Sequence, residues 1–98
     1  MPLERERILA ALRAMKPAIE SRYKARELAL FGSFARGEED RRSDVDLLVE
    51  FTPEADLLDL VGLAQFLEER LQRTVDVVPK AVLRAEIRDA VLNEAILV

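Results

Sequence analysis

Two pieces of sequence decide the fold: Leu30-Phe31-Gly32-Ser33-Phe34-Ala35-Arg36-Gly37 and, across the charged loop Glu38 to Arg42, Ser43-Asp44-Val45-Asp46-Leu47-Leu48-Val49. The run Glu27-Leu28-Ala29-Leu30-Phe31 is apolar after its first residue and stops at Gly32, which reads as a strand with a sharp exit. Ser33 to Gly37 has room for one or two helical turns. Val45, Leu47, Val49 and Phe51 then alternate, so Asp44 to about Phe51 reads as a second strand, ended by Thr52-Pro53.

The carboxylates are what is unusual in that second strand. Aspartate is depleted from strands, and a period of two sets Asp44 and Asp46 on one face. Two like charges ~5 Å apart repel by roughly 1–3 kcal/mol at effective dielectrics between 80 and 20. A cation between them removes that cost, and hard cations such as Mg²⁺ take oxygen ligands. The plain alternative is that both aspartates face water on an open sheet. Asp76 is the only charged residue of a third strand, Thr74 to Val78, closed by Pro79. If this strand lies beside the second, three carboxylates converge, as a two-metal phosphoryl-transfer site requires; otherwise Asp76 is a solvated side chain.

Gly32 permits a tight turn and close approach to a ligand. Ser33 can cap the following helix or bind phosphate, with free N–H groups of the turn forming an anion site. Arg36, three residues on, reaches the same region with a guanidinium or remains a solvated surface residue.

Outward from this centre, Ile8, Leu12, Met15 and Ile19 form one stripe of an amphipathic helix from Leu3 to about Tyr23. Pro17 either kinks that helix or restarts it. Asp56 fits the N-cap of a helix carrying Leu57, Leu60, Val61, Ala64, Phe66, Leu67 and Leu71. In the tail from Val82, the residues Leu83, Ile87, Val91 and Ala95 share a helical face. Phe34 and Phe66 read as core or partner-facing, Tyr23 as a core-edge aromatic, and Arg41, Arg42, Lys80 and Arg84 as mainly solvated. The order helix, strand, short helix, strand, helix, strand, helix predicts a single α/β (α+β) domain over residues 1–98, with helices packed on one small sheet.

Composition narrows the chemistry. The 98 residues include no cysteine and no histidine, which excludes disulfides, thiolate or imidazole metal sites, cysteine nucleophiles and a Ser-His-Asp triad. Any catalysis must come from carboxylates, Arg, Lys, hydroxyls and a bound metal. The net charge of −4 opposes sequence-independent nucleic-acid binding. The apolar runs are too short to span a bilayer, and Met1 to Arg7 lacks an apolar signal core, so the expected location is the cytoplasm, away from membranes.

The order strand, Gly32-Ser33, Arg36-Gly37, Asp44-Val45-Asp46 and a later strand with Asp76 resembles the minimal nucleotidyltransferases of the DNA polymerase beta superfamily, specifically the antitoxin half of HEPN/MNT toxin–antitoxin pairs. That resemblance implies a nucleotidyltransferase-like fold with a small mixed sheet covered by helices. It implies that Gly32 and Ser33 hold the phosphates of ATP and that Asp44 and Asp46 ligate two Mg²⁺ ions. Asp76 is then the third metal-site carboxylate, which orients or activates the acceptor hydroxyl. Arg36 falls on the family's Arg-Gly step, where a phosphate contact and a structural ion pair both remain open. The implied activity is transfer of AMP to a hydroxyl, a tyrosine, of a HEPN toxin in a hetero-oligomer. The alternative is a non-catalytic antitoxin that masks the toxin's site. A polymerase or tailing enzyme is disfavoured by the acidic charge and the absence of a template-binding domain.

Overall fold

The alternation at Val45, Leu47 and Val49 produces β2 (Val45–Phe51), one of the two central strands of the sheet in a computed structural model that describes residues 4–98. Around it are α1 (Glu4–Tyr23), β1 (Ala25–Phe31), α2 (Ser33–Arg36), α3 (Leu57–Leu71), β3 (Val75–Pro79), a 3₁₀ turn (Lys80–Val82), α4 (Ala85–Glu94) and β4 (Ile96–Leu97). The strand order is β3-β2-β1-β4. β1 runs antiparallel to β2 and β4, whereas β2 and β3 are parallel. A parallel pair cannot be joined by a hairpin, and α3 is the crossover that this geometry demands. The sheet is therefore mixed, as the resemblance implies.

Strand periodicity divides the residues between two faces. Leu28 and Leu30 of β1, Val45, Leu47 and Val49 of β2, and Val75 and Val77 of β3 join Leu12, Ile19, Leu63 and Leu67 of α1 and α3 in one buried cluster. Each fully buried aliphatic side chain contributes roughly 1.5–3 kcal/mol, so this side of the sheet holds the fold together. The opposite face carries Ala29, Phe31, Asp46, Leu48, Glu50 and Asp76. The carboxylates thus stand on the side of the sheet that α1 and α3 leave uncovered.

Several expected boundaries shift. The expected helix start at Leu3 lies outside the described residues. α1 does not restart at Pro17 but continues through it. Its position is exposed, so water can serve the carbonyl that loses a donor. Asp44 falls just before β2, and β1 begins two residues earlier than expected, at Ala25. Pro79 does not close β3 from outside but is its last residue, opposite Val49. An edge strand tolerates a proline because one side of its ladder is unpaired.

The tail differs most. The common helical face expected for Leu83, Ile87, Val91 and Ala95 does not form. Leu83 is buried but precedes α4, Ile87 is 48% exposed, and Ala95 is extended. From Ala95 the chain enters β4, whose Ile96 and Leu97 pair with Leu30 and Ala29.

Candidate active site

The parallel register of β2 and β3 places Asp46 directly opposite Asp76. Adjacent strands lie ~4.8 Å apart and residues in register share a face, so these two carboxylates are neighbours. Asp46 is half-buried, whereas Asp44 and Asp76 are exposed. The Asp46 carboxyl is held above its ordinary range, first by burial and then by the negative charges of Asp76 and Asp44. All three acids therefore share one electrostatic neighbourhood.

β1 delivers the fourth component. Phe31, its last residue, pairs with Asp46, so Gly32 leaves the sheet beside that carboxylate. Gly32 is buried with φ 76° and ψ −154°, a conformation essentially confined to glycine. A Cβ there would collide with Oδ2 of Asp46 and lie 3.0 Å from its Cγ. The glycine therefore serves both the turn and the close approach of the aspartate. Ser33 follows, half-buried, as the first residue of α2.

Arg36 lies at the end of α2, tied to two carboxylates. Its Nε donates to Glu38 Oε1 at 2.6 Å and its Nη1 to Glu94 Oε2 at 3.0 Å. Of the two roles left open for this residue, the structure displays the ion pair. Glu94, at the end of α4, also accepts from the Gly32 N–H at 3.1 Å through its other oxygen. One carboxylate thus bridges the turn and the arginine, and it adds to the negative field at Asp46. No motif marks Glu94, because its partners lie about sixty residues away in the chain.

Arg73 was equally silent in the sequence. Its guanidinium lies over the Phe34 ring at 4.9 Å and donates to the Ser43 carbonyl at 3.3 Å. It therefore braces the loop that leads into Asp44 against the buried aromatic of α2. A polar cleft of about 530 Å³ opens beside Asp44, lined also by Arg41, Arg42, Arg73 and Thr74. A more apolar cavity of about 510 Å³ lies under the 3₁₀ turn, between Phe51, Pro79, Lys80 and Arg88. Its lining includes none of Gly32, Ser33, Asp44, Asp46 and Asp76.

Asp46 and Asp76 stand side by side with Asp44 nearby, and among the described residues no three His, Cys, Asp or Glu side chains are already gathered as ligands of one ion. The donor set still suits Mg²⁺, which is usually held by one or two carboxylates with substrate phosphates completing its shell. The Asp46–Asp76 neighbours, with Asp44 in electrostatic range, meet that need.

Known proteins resemble this chain in sequence and in fold. Residues 12–98 match the Nucleotidyltransferase domain family. The protein adenylyltransferase MntA of Thermococcus cleftensis is 40% identical over 93 residues, covering 95% of this chain and 94% of its own. The solved structure of a candidate minimal nucleotidyltransferase superposes with a TM-score of 0.75 at 42% identity, over 90% of this chain and 93% of its own. A toxin–antitoxin structure containing AMP-PNP superposes with a TM-score of 0.68 at 27% identity, over 95% of this chain and 70% of its own. The strand exit at Gly32-Ser33, the paired acids of β2 and β3 and the near full-length match lead to one assignment: this chain belongs to the Nucleotidyltransferase domain family and is a nucleotidyltransferase.

Proposed function

We propose that the chain transfers AMP from ATP to a tyrosine hydroxyl of a HEPN toxin, and so acts in the cytoplasm as that toxin's antitoxin. The observation that carries this reading is the Asp46–Asp76 register beside Gly32. The likeness to a named protein adenylyltransferase and to a toxin–antitoxin structure holding AMP-PNP supports it.

In this reading Gly32 and Ser33 hold the triphosphate at the exit of β1, and Arg36 offers its guanidinium to the same phosphates. Asp44, Asp46 and Asp76 would hold Mg²⁺ once the triphosphate adds its own oxygens, and the metal would supply charge neutralisation for the triphosphate and the departing pyrophosphate. Asp76 is exposed at the edge strand, which leaves it open to an acceptor in this reading. The acceptor oxygen bonds to the α-phosphorus, the bond from that phosphorus to the β-phosphate's bridging oxygen breaks, and pyrophosphate leaves with the electron pair. The hydroxyl proton passes to the Asp76 carboxylate, since the chain has no histidine to receive it. A nucleotide on the toxin adds negative charge near its site and repels RNA.

Incubation with labelled ATP, Mg²⁺ and the purified toxin is expected to label the toxin. Asp44→Ala and Asp46→Ala are each expected to lower that rate by at least ~100-fold, as loss of a principal electrostatic group does. The same variants are expected still to bind the toxin in a pull-down. If the double variant protects cells as fully as the wild type, masking replaces transfer as the explanation.

A further inference from the structure

We propose that Glu94 is a built-in competitor for the triphosphate, an internal carboxylate that occupies the phosphate donors of the site and must swing away when nucleotide enters. This rests on the transferase reading and adds a gate to it. The two oxygens of Glu94 take the Gly32 N–H at 3.1 Å and the Arg36 Nη1 at 3.0 Å, a backbone amide and a guanidinium converging on one anion. Those are the donor types that bind phosphate oxygens elsewhere in proteins. A phosphate cannot use both while the carboxylate is seated between them. The charge of Glu94 also falls on Asp46, so its departure lowers the negative potential that an entering triphosphate must overcome.

The surrounding packing makes that departure easy. None of the ten residues of α4 is buried, so the helix that carries Glu94 is held by little apolar contact. The ion pair itself is partly solvated, with side chains 47% exposed at Arg36 and 26% at Glu94. Arg36 keeps its second carboxylate, Glu38, when Glu94 leaves, so it is not stranded. A triphosphate carries several charges and a carboxylate one, and exposed ion pairs are weak. Glu94 is therefore displaceable, and its cost appears as a reduction in nucleotide affinity.

Calorimetric titration of Mg-ATP and of Mg-tripolyphosphate into the full chain tests this with wild type, Glu94→Gln and Glu94→Ala. Glutamine keeps the side-chain shape and an oxygen for the Gly32 N–H while removing the charge. Alanine clears both donors, and a thermal melt checks that each variant is folded. Both variants are expected to bind both ligands roughly three- to tenfold more tightly than wild type. Adenosine, which lacks phosphate, is expected to bind all three alike. Equal or weaker binding of the two phosphate ligands by both variants overturns the inference and leaves the transferase reading intact, because the wild type still takes nucleotide. A wild type that binds neither phosphate ligand and labels no toxin overturns the transferase reading, and the competitor role falls with it.

Discussion

Asp46 carries the conflict between folding and chemistry. It is pressed between burial and the charges of Asp76 and Asp44, all of which favour its protonated form. The native chain therefore holds this proton to a higher pH than the unfolded chain does. Between the ordinary aspartate value of 3.8 and the raised native value, the folded state binds more protons, so stability from this residue is lost as pH rises. Asp46→Asn removes the group that must ionise while keeping its size beside Gly32. Its melting temperature is expected to exceed that of the wild type by a few degrees at about pH 7, with the gain vanishing below about pH 3. Thermal melts by circular dichroism over that range check it. A variant less stable than wild type at neutral pH would show that the carboxylate stabilises the fold instead.

At the scale of elements, α3 shows how much a local signal carries. Asp56 caps it with a reciprocal box: its side chain accepts from the Asp59 N–H at 3.1 Å, and its own N–H donates to Asp59 Oδ2 at 3.0 Å. Asp56→Ala is expected to cost about 1 kcal/mol and to lower the melting temperature by about 4–8 °C, leaving nucleotidyl transfer unchanged. That cap was legible because capping depends on residues three apart. The alternation of β2 was legible for the same reason, and so was the Gly32-Ser33 exit. β4 was not: two residues have no period, and Ile96 and Leu97 become a strand only because β1 offers them an edge. The place of Pro79 inside β3 also depends on that strand being an edge, a fact of topology and not of local sequence. Within the site, aspartates at period two pointed to a shared face, whereas Glu94 and Arg73 act through partners that only the folded chain brings near.

At the scale of the whole molecule, the described residues offer little with which to enclose a nucleotide. Asp44 and Asp76 are exposed, and nothing among the described residues covers them. The layer that excludes water, α1 and α3, lies on the other side of the sheet. Lids supply positioning and a dry environment, and a site without one binds its substrate loosely. The chain is also acidic, at −4, which disfavours a polyanionic ligand until cations enter with it. If the toxin partner proposed above completes the pocket, its binding and nucleotide binding must be coupled, and linkage makes that coupling reciprocal. Toxin is then expected to tighten binding of a non-transferable ATP analogue by a factor of roughly 5–150, and the analogue to tighten toxin binding by the same factor. Titrating each ligand in the absence and presence of the other measures both sides of the cycle. A factor of one would mean that the proposed partner touches this chain without closing its site, so that loose nucleotide binding persists in the complex and the acceptor hydroxyl alone is positioned by the partner.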